Sequence, residues 1–510
     1  MFSKVYSGGL LGVEGYLVQV EADVSEGLPS FSMVGYLGSE VREAEERVRT
    51  AARNAGFRLT AKKVTVNLSP ANVRKEGTGW DLPVAMAVLA AYGLVPPDSL
   101  RGAAFLGELG LDGRVKPVRG VLPMALAMRD AGIRRCFLPE ENAGEGRAVD
   151  GLEIVTAGSL GQLVELLRDP VRICPEPPGM FSGKAEPYEV DFSEVQGQTM
   201  VRRATELAVA GQHNILYIGP PGSGKSMIAR RIPTIMPALS KEEQMEISRV
   251  YSACGMLSPE QPLMQARPFR SPHHTISAHA LMGGGLVPRP GEISLASRGV
   301  LFLDELPEFQ KKTLDMLRQP MEDKKVTISR VHGTYDFPAH FMLAAAMNPC
   351  PCGYFPDRER CACTPTQVRR YLARISGPLL DRLDVCVEAA PLTFHEICRT
   401  EQAESSAAIR ARVEAARQVQ ARRFAGTGLH FNSEMGNREI RRFCALKPED
   451  ETYIRELFGR LGLSARGYHK LLRVARTIAD LAGDEEICRV HLQEAAGYRG
   501  IEERYWKEIR

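Results

Sequence analysis

The sequence predicts a multidomain α/β protein: an α/β amino-terminal domain, a parallel-sheet nucleotide-binding domain and a helical carboxy-terminal domain. Three observations predict it. A glycine-rich phosphate-binding loop at 219–226 follows the buried-strand pattern Asn-Ile-Leu-Tyr-Ile (214–218) and precedes a helical run from Met227 to Ile232. Residues 1–168 alternate short apolar runs with helical patterns. Residues 391–510 are mostly helical by periodicity. At 510 residues the chain exceeds one ordinary domain.

In residues 1–168 the strands are expected at Leu17–Val24, Lys63–Leu68, Gly102–Leu106 and Cys136–Pro139, and the helices at Glu40–Ala55, Leu82–Tyr92 and Val121–Ala131. Residues 169–187 (DPVRICPEPPGMFSGKAEP) are rich in proline and glycine, lack periodicity and read as an exposed linker. Residues 188–390 hold the phosphate loop and further strand–helix alternation, the pattern of a parallel-sheet nucleotide-binding domain. In 391–510 the helices are expected at Ala403–Phe424, Pro448–Leu461, Ser464–Leu481 and Val490–Tyr498.

Composition sets bounds on function. The chain is 44% hydrophobic and 25% charged with a net charge of +3, so any nucleic-acid contact must come from local patches rather than a global basic field. The amino terminus has no signal-peptide core, and the longest apolar run, Leu82 to Val95, is too short to span a bilayer. The expectation is a cytoplasmic protein. Eleven mostly scattered cysteines fit reduced thiols rather than a disulfide framework.

The loop reads Gly219-Pro220-Pro221-Gly222-Ser223-Gly224-Lys225-Ser226. Its glycines let backbone N–H groups turn in around phosphate oxygens, and the following helix adds its positive end. Lys225 can reach the β- and γ-phosphates, and the Ser226 hydroxyl can bind Mg²⁺. The apolar run Val300–Leu303 ends in Asp304-Glu305, placing two acids at the carboxyl edge of a buried strand. Asp304 suits the Mg²⁺ shell and Glu305 a general base that polarises the attacking water. A third apolar run, Met342–Met347, ends at Asn348, which can orient that water. Three arginines follow. Arg382 is a candidate arginine finger for a neighbour's γ-phosphate, Arg374 competes for that role, and Arg466 opens a helix capped by Ser464, where a cation runs against the helix dipole.

Cys350, Cys352, Cys361 and Cys363 form two Cys-x-Cys pairs that can close a tetrahedral Zn²⁺ site; inert thiols or a reversible disulfide pair are the alternatives. Arg267, Phe269, Arg270, His273 and His274 lie in an irregular stretch followed by Gly283–Gly285, a pattern for a flexible insertion able to touch phosphates or stacked bases. Lys324, Lys325, Arg330 and His332 lie on a second candidate hairpin. Interface packing is the competing reading for both. The two histidines are too isolated from other ligands to argue for a metal.

The ordered set resembles the AAA+ ATPases, in the branch of the magnesium-chelatase motor subunits, and within it the YifB/ComM family. The segments that carry the resemblance are VYSGGLLGVEGYLVQVE, VTVNLSPANVRKEGTGWDLPVA, RPFRSPHHTIS, GEISLASRGVLFLDE, MNPCPCG, SGPLLDRLD and LSARGYHK, which span the chain. The resemblance implies a ring, usually a hexamer, with ATP sites between subunits, and a DNA motor, since ComM-type members act as branch-migration helicases in natural transformation alongside recombination proteins. It also places Val195 and Gly197 beside the adenine, and Lys225, Ser226, Asp304, Glu305, Asn348, Arg382 and Arg466 at the loop, acidic, sensor and finger positions. Whether Arg466 acts on its own or the neighbouring subunit's site is left open. Related motors carry DNA-contacting hairpins where the two basic insertions fall.

Residues 1–168 resemble the proteolytic domain of Lon proteases, through VKPVRGVLPMALAMRDAGIRRCFLPEEN and RKEGTGWDLP. A Lon-type peptidase needs a serine nucleophile and a lysine. The corresponding positions here are Gly79 and Leu122; Lys116 and Ser69 are near but off register. The expectation is a catalytically dead Lon-like scaffold. A DNA motor is the leading function; a protein-remodelling or chelatase-type motor is second and an ATP-dependent protease third.

Overall fold

The computed structural model describes residues 1–179, 188–285, 287–330, 333–357, 359–391 and 403–506. Two sheets organise the fold. The first has seven strands in the order Ser30–Val34, Lys63–Ser69, Glu14–Ser25, Phe2–Leu11, Ala103–Phe105, Arg135–Leu138 and Glu153–Thr156. Its spine is an antiparallel hairpin in which Val5 faces Val20 and Leu11 faces Glu14; the flanking Ala103–Phe105, Arg135–Leu138 and Glu153–Thr156 strands run parallel. The Phe2–Leu11 strand is not among the expected elements. Its glycines serve close packing: a Cβ on Gly8 would sit 2.8 Å from the Met124 Cβ, on the Val121–Asp130 helix.

The Asp81–Ala91 helix is apolar all round and buried at all eleven positions. It packs on the Phe2–Leu11 and Glu14–Ser25 strands. Its one charge, Asp81, is buried but accepts from Arg47 Nε at 2.8 Å and Nη2 at 2.9 Å. The helix expected over Glu40–Ala55 is broken into Ser39–Arg42 and Ala44–Asn54.

The second sheet is parallel throughout, in the order Phe269–Arg270, Val300–Leu303, Met342–Met347, Ile215–Ile218 and Val385–Glu388. Its three central strands are wholly buried, which is why they read as unbroken apolar runs rather than as alternation. The two sheets are joined through the Lys241–Cys254 helix: Ser252 O accepts from Gly120 N at 3.0 Å and Ser252 Oγ from Leu122 N at 3.3 Å. Of the expected linker, 169–179 carries one short turn, Pro170–Arg172, and 180–187 lies outside the described residues. Among the described residues no helix is long and apolar enough to cross a membrane.

The carboxy-terminal helices are Ser406–Arg423, Pro448–Arg460, Ala465–Ala482 and Arg489–Trp506. They share one core with the second sheet, in which Val413, Ala416, Leu471 and Ile478 are buried with Ile215 and Tyr217. The last helix runs two turns beyond its expected end at Tyr498. Those turns lie on the ATPase side, where Tyr505 donates to Glu388 at 2.7 Å and the buried Trp506 indole N–H to Leu372 O at 3.2 Å. Trp506→Ala removes the largest fully buried side chain. The expected cost is about 3–5 kcal/mol, read as a lower urea midpoint with unchanged far-UV circular dichroism at zero denaturant.

Candidate nucleotide site and its surroundings

The phosphate loop leaves the carboxyl end of the Ile215–Ile218 strand and enters the Lys225–Ile235 helix. Gly222 (φ 77°) and Gly224 (φ 81°) are left-handed, a conformation that aims successive N–H groups to one side. Ser223 closes the turn, its N–H and hydroxyl both donating to Pro220 O. The Lys225 ammonium donates to Gly219 O at 2.7 Å, Pro220 O at 2.8 Å and Asn348 Oδ1 at 3.3 Å, and burial pulls its pKa down while Asp304 opposes the shift.

The neighbouring strands bring the remaining groups to the same edge. In the sheet register Leu303 lies beside Ala345, and Ile218 beside Met347. Asp304 and Asn348 therefore flank the loop. Ser226 Oγ donates to Asp304 Oδ2 at 2.6 Å, so these two oxygen donors are already adjacent, a hard-ligand pair of the kind Mg²⁺ takes. Asp304 Oδ1 accepts the Glu305 N–H at 2.9 Å. Glu305 is itself left-handed (φ 52°), an unusual conformation for a side-chain-bearing residue, and its side chain is 57% exposed.

Sequence reasoning does not assign two of the residues found in this site to it. His274 Nδ1 lies 3.3 Å from Glu305 Oε2, with its ring against His273 (centroids 4.0 Å) and edge-on to Phe309. His274 thus faces a carboxylate, while His273 Nδ1 lies 2.9 Å from Thr275 Oγ1. Gln198 (φ 52°) donates from Nε2 to Ser223 O at 3.1 Å and Ala390 O at 2.6 Å, tying the loop to the segment after the last strand. Val195 is buried in the core and Gly197 (φ 60°) makes the turn before Gln198. The signal available in sequence was only the tripeptide Gln-Gly-Gln.

The arginines differ in their engagement. Arg382 donates to Pro378 O at 2.6 Å and pairs with Glu322, while its Nε is shielded and unpaired. Arg374 pairs with Glu308 at 2.8 Å and bonds Pro307 O, three and two residues past Glu305 respectively. Arg466 is exposed in the first turn of its helix, with no hydrogen bond or ion pair among the described residues.

The four cysteines converge. Their sulfurs lie within 4.8 Å of one another, with Cys350–Cys352 at 3.3 Å, Cys352–Cys361 at 3.6 Å and Cys350–Cys361 at 3.7 Å. Four thiolates about 2.3 Å from one ion stand about 3.8 Å apart, so the set fits tetrahedral zinc. Burial raises the Cys352 thiol, but the Tyr354 N–H and the neighbouring thiols outweigh it and bring Cys352 down to about 6.

The expected insertion that starts at Arg267 begins in ordered structure rather than in a loose loop. Phe269–Arg270 is the edge strand of the parallel sheet. Arg267 is spent on Pro237 O, Arg298 O and Glu243, and Arg270 on a bidentate pair with Glu292 at 2.6 and 2.8 Å. Lys324 is half-buried: it is the left-handed residue (φ 56°) at the base of a hairpin, and burial lowers its pKa. The hairpin itself, Lys325–Arg330 with Gly333–Pro338, is exposed on its polar face. Lys325 pairs there with Asp336 at 2.9 Å, and Arg330 reaches the tip. His332 lies outside the described residues.

In the amino-terminal region Gly79 offers no nucleophile, Leu122 is fully buried, and Lys116 stands 3.9 Å from Glu108.

Comparison with known proteins agrees with this geometry. Residues 191–397 match the family profile described as magnesium chelatase, subunit ChlI; residues 20–142 match subunit ChlI of Mg-chelatase, and residues 403–499 its C-terminal part. The chain is 41% identical to competence protein ComM of Haemophilus influenzae, over 98% of this chain and 97% of that protein. It is 41% identical to YifB of Escherichia coli over the same shares. A Lon protease of Chloroflexus aurantiacus is 33% identical over 138 residues, 26% of this chain.

Proposed function

Because this chain belongs to the magnesium-chelatase-like AAA+ ATPase family of ComM and YifB, we propose that it is an ATP-driven DNA motor, a hexameric branch-migration helicase serving recombination during natural transformation. The observation that carries the ATPase reading is the convergence of Lys225, Ser226, Asp304, Glu305 and Asn348 at one sheet edge. Lys225 neutralises charge on the transferring phosphoryl group. Ser226 and Asp304 would hold Mg²⁺, which would supply further charge neutralisation there. Glu305 takes the proton of the attacking water, and Asn348 orients that water. Arg382, Arg374 or Arg466 completes a neighbouring subunit's site; the unpartnered Arg466 is available for this without breaking a pair.

The working division is a catalytically dead Lon-like domain (1–168), a linker (169–187), the ATPase domain (188–390) and a helical domain (391–510). The relatedness to ComM and the exposed hairpin support DNA as the track. Arg330 is the phosphate contact we favour. Arg330→Ala is expected to weaken DNA binding for every sequence tested and to reduce the salt dependence by about one counterion, read by fluorescence anisotropy across a salt series. The cluster of four thiols supports structural zinc bracing the loop after Asn348. Elemental analysis of purified protein is expected to give one zinc per chain, lost in a Cys361→Ser, Cys363→Ser double variant. A labelled four-way junction tests the whole: ATP-dependent branch migration supports the helicase. The profile match to a chelatase subunit favours a second reading, a chelatase-type or protein-remodelling motor, and ATP hydrolysis with no effect on any junction would select it.

A further inference from the structure

The phosphate loop (219–226) is supported from outside by the segment that carries the four cysteines. Gly353, between the two cysteine pairs, is buried against Pro221 of that loop: a Cβ on Gly353 would lie 2.5 Å from Pro221 Cδ and 3.0 Å from its Cγ. A residue with a side chain could not approach so closely, and the left-handed backbone at Gly353 (φ 88°) favours glycine as well. The two segments also meet at their roots. Gly219 N–H donates to Met347 O at 3.2 Å, and Lys225 Nζ to Asn348 Oδ1 at 3.3 Å. The strand end before the cysteines and the turn between them thus hold the phosphate loop at two places.

The turn has little regular structure of its own. Between the Met342–Met347 strand and the Pro365–Leu372 helix the described residues form no helix or strand. Their backbone-to-backbone hydrogen bonds are local: Gly353 N–H to Cys350 O at 3.0 Å, Asp357 N–H to Tyr354 O at 2.8 Å and Cys361 N–H to Asp357 O at 2.8 Å. Cys350 is fully buried, and its sulfur accepts the Phe355 N–H at 3.4 Å. The sulfur cluster ties the two ends of the segment together, joining Cys350, two residues past Asn348, to Cys361 at 3.7 Å. Closing a segment removes open conformations from it, and a metal held by thiolates supplies folding free energy to the turn it closes. The position of Gly353 against Pro221 therefore depends on the state of the four sulfurs.

We infer that the four-cysteine turn sets the affinity of the phosphate loop for nucleotide: with its thiolates joined through zinc, Gly353 bears on Pro221 and keeps the loop in its binding shape, and with the thiolates free that support is lost. A loop already held in shape loses less binding free energy to ordering. Gly353 acts through Pro221 and is a positioning residue. The inference rests on zinc as the occupant of the cysteine site and adds a consequence to it, that release of the metal turns nucleotide binding down. It does not depend on DNA being the track.

The test uses the full chain and a fluorescent ADP, so that hydrolysis does not intervene. The Cys361→Ser, Cys363→Ser double variant and the unaltered chain stripped by a zinc-selective chelator are each expected to bind ADP about tenfold or more weakly than the zinc-loaded chain. Adding zinc back should restore the stripped chain and not the double variant. Gly353→Ala keeps all four cysteines and crowds Pro221. It is expected to retain zinc by elemental analysis and still to lose ADP affinity several-fold. In a Pro221→Ala background the ring atoms that the new methyl meets are gone, and Gly353→Ala is expected to cost little further. A turn that served overall stability alone would show the same cost in both backgrounds. If the double cysteine variant does not fold, the stripped chain and the Gly353→Ala, Pro221→Ala cycle decide. No zinc in the purified chain overturns the zinc reading and this inference with it. Zinc present, with ADP affinity unmoved by its removal or Gly353→Ala equally costly in both backgrounds, overturns this inference and leaves the zinc reading standing.

Discussion

Glu305→Gln is expected to lower kcat for ATP hydrolysis by about 10²–10⁴-fold while leaving ATP affinity within a few-fold. Glutamine keeps the length of the side chain and a hydrogen-bonding oxygen for His274, so the left-handed turn after Asp304 is retained. It cannot accept the proton of the attacking water. The loss therefore falls on the chemical step alone, and single-turnover hydrolysis beside equilibrium nucleotide binding separates the two. A variant that lost binding as well would show that Glu305 holds the site together rather than acting as its base.

Lys225→Ala acts on binding and chemistry together. The Lys225 ammonium contacts loop carbonyls and Asn348, and it is buried beside Asp304. Removing it deletes the one cation inside the loop, so the β- and γ-phosphates lose a charge-assisted contact. Hydrogen bonds to charged groups contribute about 1.5–3 kcal/mol, which predicts at least about tenfold weaker ATP binding by equilibrium fluorescence.

The nucleotide site was legible in sequence because each part sits at the end of a buried strand, and buried parallel strands are the runs that apolarity alone reveals: Ile215–Ile218, Val300–Leu303 and Met342–Met347. The cysteines were legible by spacing. What escaped was set by partners distant in sequence. Phe2–Leu11 is a strand because Glu14–Ser25 pairs with it along its whole length. His274 reads in sequence as part of a basic stretch; its place beside Glu305, thirty-one positions away, is set by the fold. Arg267 and Arg270 read as free cations, since the sequence does not display the carbonyls and acids that receive them. The final turns of the last helix were cut short for the same reason: Tyr505 and Trp506 pack on the ATPase core, not on their own helical neighbours.

The central claim is that ATP hydrolysis at this edge drives movement on DNA. Steady-state hydrolysis with and without single-stranded and four-way-junction DNA, with Glu305→Gln in parallel, tests it most directly. The account predicts strong stimulation by DNA that disappears in the variant. Hydrolysis indifferent to every DNA tested would contradict it and redirect the motor to a protein or tetrapyrrole substrate.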